Sequence, residues 1–147
     1  MKNTTRAELT ANIKQHRWLV FHIMEGSETE PAFTYTVGLI ETFGHPEVVI
    51  SGVKQEAAMG ILNKIGHGVS EGLKREPGVL YNDVLEGYSC VFKPVSSQKY
   101  EAYFGRALVF YEGPTFPMLQ CVWPDALKWF PGGMGYALST QEVLFEQ

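Results

Sequence analysis

The chain has 147 residues, of which 45% are hydrophobic and 19% are charged, and its formal net charge at pH 7 is −4. A chain of this length typically folds as one domain and buries about two-thirds of the surface that it exposes when unfolded, so we expect a packed core that needs no metal or disulfide. The negative net charge argues against nucleic acid as a partner, because phosphate binding depends on positive charge.

The longest apolar stretches, around residues 18–23 and 47–53, are much shorter than the roughly 20 residues that cross a bilayer, so the sequence predicts no membrane association. Residues 1–10 are polar and lack the apolar run of a signal peptide, which predicts a cytoplasmic protein. The two cysteines, Cys90 and Cys121, lie in apolar segments without Cys-x-x-Cys spacing. We therefore expect both to be buried, reduced thiols.

No internal repeat, low-complexity tract or linker divides the chain, so the sequence predicts a single domain over residues 1–147, with residues 132–147 as a C-terminal extension. Thr5 and Glu8 have the spacing of a capping box, which predicts a helix from this point to about His16.

A β-hairpin is predicted next, because residues 18–24 and 32–37 are rich in strand-forming side chains and flank a polar turn. Residues 38–44 begin and end with glycine and are expected to form a loop, after which residues 48–50 form a buried strand. Apolar residues at helical spacing within residues 54–71 predict the longest helix.

The second half of the chain is predicted to contain three more strands. Residues 88–95 form a strand that ends near Pro94, and a short helix follows from Ser96 or Ser97 to Phe104. Residues 107–111 and 116–123 are the other two strand candidates, around a turn. The order of elements predicts an α+β fold, with a largely antiparallel sheet and one long and two short helices packed on one face.

Three segments carry a pattern found together in one known family. They are Phe33-Thr34-Tyr35-Thr36-Val37-Gly38-Leu39, then Gly44-His45-Pro46-Glu47, and then Leu119-Gln120-Cys121-Val122-Trp123-Pro124-Asp125 followed by Phe130-Pro131. In this order they resemble the bacterial domain-of-unknown-function family numbered 4262, over about residues 18–131. The resemblance implies a stand-alone bacterial domain, and it implies no activity, cofactor or catalytic residue.

The second and third segments contain the candidate catalytic residues. His45 and Glu47 lie two residues apart, so both point to one side if the chain is extended there, as a general base and its orienting acid or as two metal ligands. The structural alternative is that His45 caps a loop while Glu47 begins a strand. Asp125 follows a strand, where it either carries function or closes an Asx-turn.

Tyr35, Thr36, Gln120 and Trp123 are the candidate ligand-binding residues. Tyr35 and Thr36 offer hydroxyl groups on opposite faces of a strand. Gln120 places an amide in an otherwise apolar strand, and a buried amide must find hydrogen-bond partners, either in the protein or in a ligand. Trp123 ends the same strand.

Two functional hypotheses follow from these residues. The first is a binding or regulatory module for a small ligand or a protein partner; it is favoured because no nucleophile elbow, P-loop, dinucleotide-binding glycine motif or deaminase metal motif is present. The second is a small enzyme that uses His45, Glu47 and Asp125 for acid–base chemistry, with or without a metal. No residue is assigned to a metal or other cofactor.

We expect the three segments to form one site, with Tyr35, His45, Glu47, Gln120 and Asp125 around a single depression.

Overall fold

The computed structural model describes residues 5–26, 30–133, 136 and 141–146. The strands are β1 (Leu19–Ile23), β2 (Phe33–Val37), β3 (Glu47–Ser51), β4 (Leu80–Leu85), β5 (Tyr88–Pro94) and β6 (Met118–Val122). The helices are α1 (Arg6–His16), α2 (Leu39–Phe43), α3 (Gln55–Ser70), α4 (Tyr100–Tyr103) and α5 (Gly105–Tyr111), and a 3-10 turn, Ser97–Lys99, precedes α4.

The strands form one six-stranded sheet in the order β1-β2-β3-β6-β5-β4. All neighbouring strands are antiparallel except β3 and β6, which run parallel with Glu47 opposite Met118. The predicted α+β fold with a largely antiparallel sheet is therefore confirmed.

Helices cover both faces of this sheet, so the prediction that they pack on one face is wrong. Helices α1, α4 and α5 pack on the face that carries Tyr35 and Val49. Helix α3 packs on the opposite face, against Val48 and Ile50. The physical reason is that every residue of β2, β3 and β6 is buried. A strand that is covered on both faces has a continuous apolar run instead of an alternation, so these central strands need helices on both sides.

Three elements differ from the sequence prediction. Residues 107–111, predicted as a strand, belong to helix α5, because a short apolar run suits either element and here Ala107 and Phe110 bury one helical stripe. The predicted loop at residues 38–44 contains helix α2. Strand β4 was not predicted, because it is an edge strand whose exposed Asn82 and Asp83 hide the strand pattern.

The other local predictions are confirmed where the structure describes them. Thr5 is the N-cap of α1, and its Oγ1 accepts the backbone N–H of Glu8 at 3.1 Å. Cys90 and Cys121 are both buried and free. The polar turn of the predicted hairpin falls partly on residues 27–29, which lie outside the described residues.

The C-terminal extension is part of the core where it is described. Leu144 is only 1% exposed and belongs to the same apolar cluster as α1 and α5. Val95 pairs with Phe145 in an isolated antiparallel bridge. Residues 134–135 and 137–140, also in the predicted extension, lie outside the described residues.

Two glycines of α3 provide a matched test of packing on the sheet face that this helix covers. A Cβ atom at Gly66 would lie 2.5 Å from Cε2 of Trp18, whereas a Cβ at Gly60 has no atom within 4 Å. We expect Gly66→Ala to destabilise the fold by about 1–3 kcal/mol, because the indole or the helix must move. Gly60→Ala should stabilise it by about 0.5–1 kcal/mol through helix propensity. Urea denaturation measures both, and equal effects of the same sign would contradict this packing.

Candidate functional site

Glu47 is a completely buried carboxylate at the start of β3, and hydrogen-bond donors surround it. The backbone N–H of Gly38 donates to Oε2 at 2.9 Å, and that of Leu39 donates to Oε1 at 3.2 Å. The Thr36 hydroxyl donates to Oε1 at 2.8 Å, and the Tyr111 hydroxyl donates to Oε2. We call these five residues the Glu47 cluster. Its carboxylate thus binds the N-terminal N–H groups of α2, where negative charge is favoured.

The first two family-like segments meet in this cluster because of how β2 ends. The Thr36 hydroxyl accepts the Val48 N–H at 2.9 Å while donating to Glu47, so a side chain continues the hydrogen bonding between β2 and β3. Gly38 then turns the chain into α2 with φ at +118°, and a Cβ there would lie 3.0 Å from the Trp18 backbone. Only glycine accepts both this φ and this close approach.

Burial and hydrogen bonding act in opposite directions on Glu47. Burial, the larger effect, raises its pKa, whereas the hydrogen bonds from Tyr111, Thr36 and the α2 backbone lower it. For Tyr111, burial and the nearby Glu47 charge both raise the pKa, so its hydroxyl stays protonated and continues to donate. The groups around the carboxylate of Glu47 all donate hydrogen bonds to it, and such bonds stabilise its charged form.

We predict that Glu47→Gln destabilises the protein by at least about 2 kcal/mol, because the amide NH₂ group would face backbone N–H donors that need an acceptor. Glu41→Gln is the matched control: Glu41 is an exposed residue of α2, so the same chemical change should alter stability by no more than about 0.5 kcal/mol. Guanidinium denaturation compares the two, and a tolerated Glu47→Gln would show that the cluster is not structural.

His45 is buried, with 4% of its surface exposed, and both ring nitrogens are engaged. Its Nδ1–H donates to the Pro46 carbonyl at 2.7 Å, and its Nε2 accepts the backbone N–H of Arg75 at 3.1 Å. This pairing fixes one neutral tautomer. Arg75 in turn forms a double hydrogen bond with Asp83 of β4, so His45 ties the start of β3 to the segment that leads into β4.

This environment predicts how stability depends on pH. Burial lowers the pKa of His45 below its usual value near 6.5. Between that lowered pKa and 6.5 the unfolded chain binds a proton that the folded chain does not, so stability falls as pH decreases through this range. The limit for one such group is about 1.4 kcal/mol per pH unit.

We expect His45→Gln to be less stable at pH 8 and to lose this part of the pH dependence. His16→Gln, at the exposed end of α1, controls for the loss of an imidazole. Urea titrations between pH 5 and 8 measure the slope for each protein. A slope that His45→Gln leaves unchanged would contradict the assignment of His45 as a buried neutral group.

Asp125 forms an Asx-turn, which is one of the two roles predicted for it. Its Oδ1 accepts the backbone N–H groups of Leu127 at 3.0 Å and Trp129 at 2.9 Å, which is the pattern of an Asx-turn. The side chain is nearly buried. Asp125 therefore shapes the loop after β6.

Gln120 and Trp123 bind other parts of the chain. The Gln120 side chain donates to the Glu142 carbonyl at 2.7 Å and accepts the Leu144 N–H at 2.8 Å. Its amide thus bonds the C-terminal backbone in the way that a neighbouring strand would. The Trp123 indole N–H donates to the Ser51 carbonyl at 2.9 Å. Gln120 thus finds its partners in the C-terminal segment, within the protein.

The predicted single depression is not what the structure shows. His45 and Glu47 lie at the start of β3, and β3 runs parallel to β6 with Glu47 opposite Met118. Asp125 comes after the far end of β6, which is about 13 Å long from Met118 to Val122 at about 3.3 Å per residue. The acid–base candidates therefore lie at opposite ends of the sheet, an arrangement that the sequence separation alone does not reveal.

A cleft of about 740 Å³ opens on the sheet face that α1, α4 and α5 cover, between the β1–β2 hairpin and helices α4 and α5. Of the predicted site residues, Tyr35 is one of its lining residues. Its other lining residues include Ile23, Glu30, Phe33, Tyr103, Gly105, Arg106, Val109 and Glu142. The volume is in the range of small-molecule sites in proteins.

One end of this cleft is basic. The backbone N–H of Arg106 donates to the Tyr35 hydroxyl at 3.2 Å, and the guanidinium stacks 4.6 Å from the centre of the Phe21 ring. Burial raises the pKa of Tyr35, and the nearby Arg106 partly opposes this effect. The Nε of Arg106 is buried and has no hydrogen-bond partner among the described residues.

The other end of the cleft is acidic. The Tyr103 hydroxyl donates to the Glu142 carboxylate. Burial, then Glu142, and then Glu30 raise the pKa of Tyr103 to about 12. Sequence reasoning missed Arg106, Tyr103 and Glu142, because only the fold brings α4, α5 and the C-terminal segment to the hairpin.

The structure gives two further findings on general classes of function. None of the helices in the described part of the chain combines the length and apolarity needed to cross a bilayer. The described residues contain no group of three or more histidine, cysteine or acidic side chains arranged to hold a metal ion.

The family model described as "Domain of unknown function (DUF4262)" matches residues 12–137 of the chain. The chain belongs to the DUF4262 family. This confirms the resemblance carried by the three segments. No curated protein and no solved structure matches the chain. Within this DUF4262 domain, the first two segments meet at Glu47, while the third binds the C-terminal residues, which lie beyond the family match.

Proposed function

We propose that this DUF4262 domain is a binding module that holds a small ligand in the cleft between the β1–β2 hairpin and helices α4 and α5. The observation that carries the proposal is the basic end of the cleft. There, the Nε of the lining residue Arg106 is buried without a hydrogen-bond partner among the described residues, and the backbone N–H of Arg106 donates to the hydroxyl of Tyr35. Buried polar groups are normally paired, so an unpaired donor beside a cleft points to a bound acceptor.

The composition of the cleft supports the same proposal. Ile23, Phe33 and Val109 offer apolar surface, and a few polar groups converge on it from both ends. Ligand sites in proteins combine a mostly apolar lining with a small number of placed polar groups. A cytoplasmic location belongs to the proposal as well, supported by the two free, buried cysteines.

The enzyme alternative has less support from the geometry. Both ring nitrogens of His45 and the carboxylates of Glu47 and Asp125 are engaged in hydrogen bonds within the fold. They also lie at two ends of the sheet. A general base must reach a substrate proton, and these groups already serve internal donors and acceptors.

Gly105 provides a direct test of the cleft. It lines the cleft, and a Cβ added there has no atom within 4 Å, so a leucine side chain can occupy the ligand space without a clash at its base. We expect Gly105→Leu to weaken small-ligand binding at least tenfold while folding normally. Gly60→Leu adds the same side chain to α3, on the opposite face of the sheet.

The measurement is a screen of small carboxylic acids, amines and amino acids by NMR of isotope-labelled protein, followed by titration of the hits. Hits should shift resonances of cleft residues in the wild type and in Gly60→Leu, and should raise the melting temperature of both. If no compound shifts cleft resonances, or if Gly105→Leu binds the hits as well as the wild type does, the proposed function is wrong.

A further inference from the structure

We infer that the ligand of this cleft is a small zwitterion, with an ammonium group at the Glu142 end, a carboxylate at the Arg106 end and an apolar part between them. This inference rests on the proposed function and adds the chemical class of the ligand. A dipeptide with free termini is the simplest compound of this class.

The acidic end provides the ammonium site. Glu142 and Glu30 both line the cleft with Tyr103, and both raise the pKa of its hydroxyl, so this end of the cleft carries negative charge. Tyr103 donates a hydrogen bond to Glu142, which leaves other lone pairs of that carboxylate for a further donor. An ammonium group has three donors and the opposite charge.

The basic end provides the carboxylate site. The guanidinium of Arg106 is held by stacking on Phe21, with its Cζ 4.6 Å from the ring centre. A planar guanidinium that is fixed in orientation binds a carboxylate through two parallel hydrogen bonds. The neighbouring Tyr35 hydroxyl adds a further hydrogen-bonding group at the same end.

An aromatic ring separates the two ends. The ring of Phe33 lies 6.2 Å from that of Tyr35 and 5.1 Å from that of Tyr103, measured between ring centres. The Phe33 ring thus contributes apolar surface that contacts the tyrosines of both ends. This surface suits a ligand that carries an apolar group between its two charges.

Charge argues against the simpler alternatives. Of the described lining residues, Glu30 and Glu142 are acidic and Arg106 is basic. A polyanion such as a nucleotide would meet repulsion from the two carboxylates, and a simple cation would leave the guanidinium without an acceptor. A ligand with one charge of each sign satisfies both ends.

The experiment uses a panel of dipeptides built from alanine, leucine and phenylalanine, each in three forms: with free termini, N-acetylated and C-amidated. Binding to the full chain is measured by calorimetry and by NMR shifts of cleft residues. We expect each terminal modification to weaken binding about tenfold or more, since each removes one charge-assisted contact.

Two variants assign each contact to its residue. Glu142→Gln should bind the free and N-acetylated forms with nearly equal affinity while still discriminating against the amidated form. Arg106→Gln should show the reverse. Glu101→Gln, an exposed residue of α4 outside the lining, should retain the wild-type pattern.

The outcomes separate this inference from the proposed function. If other small compounds bind the cleft but no dipeptide does, the zwitterion inference is wrong and the binding module stands. The same holds if the terminal modifications change affinity by less than about threefold, because the loss of one charge-assisted contact should have a larger effect. The inference also fails if Glu142→Gln still discriminates against the N-acetylated form, or if Arg106→Gln still discriminates against the amidated form. If no compound of either set binds the cleft, the proposed function itself is wrong.

Discussion

The rest of the structure depends on the burial of one charge, the carboxylate of Glu47. An uncompensated carboxylate in the interior costs several kcal/mol, so the fold must bring donors to it from every side. Those donors come from the end of β2, the first turn of α2 and the end of α5. Thr36 and Gly38 are near Glu47 in sequence, whereas Tyr111 is distant, so the cluster ties α5 to the β2–α2–β3 segment. It also explains two of the family-like segments as partners in one structural contact.

The Glu47 cluster and the cleft share helix α5. Tyr111, at the end of this helix, binds Glu47, while Gly105 and Arg106, at its start, form a wall of the cleft. The backbone of Arg106 is also tied to Tyr35 of β2. Both ends of α5 are therefore fixed to the same strand region, so the arginine is presented from a rigid element. Preorganisation of this kind lowers the cost of binding.

The C-terminal segment completes the other wall in a comparable way. Gln120 binds this segment through both polar atoms of its amide, and the Ser51 hydroxyl accepts the Glu142 N–H at 2.8 Å. Leu144 anchors the segment in the core. Buried polar groups of β3 and β6 thus position Glu142 at the acidic end of the cleft. A role in positioning the segment accounts for a buried amide in an apolar strand.

The sequence by itself determined the α+β class, the N-cap at Thr5, the longest helix and most strands, because hydrophobic period and capping chemistry act within a few residues. It also identified Gln120 as a buried amide that needs partners, and it gave an Asx-turn as one of two roles for Asp125. Only the tertiary structure decided what those partners are, that α5 is a helix, and that the His45 and Asp125 turns lie at opposite ends of the sheet. Strand order and the faces that helices cover depend on contacts between distant segments, which no local pattern encodes.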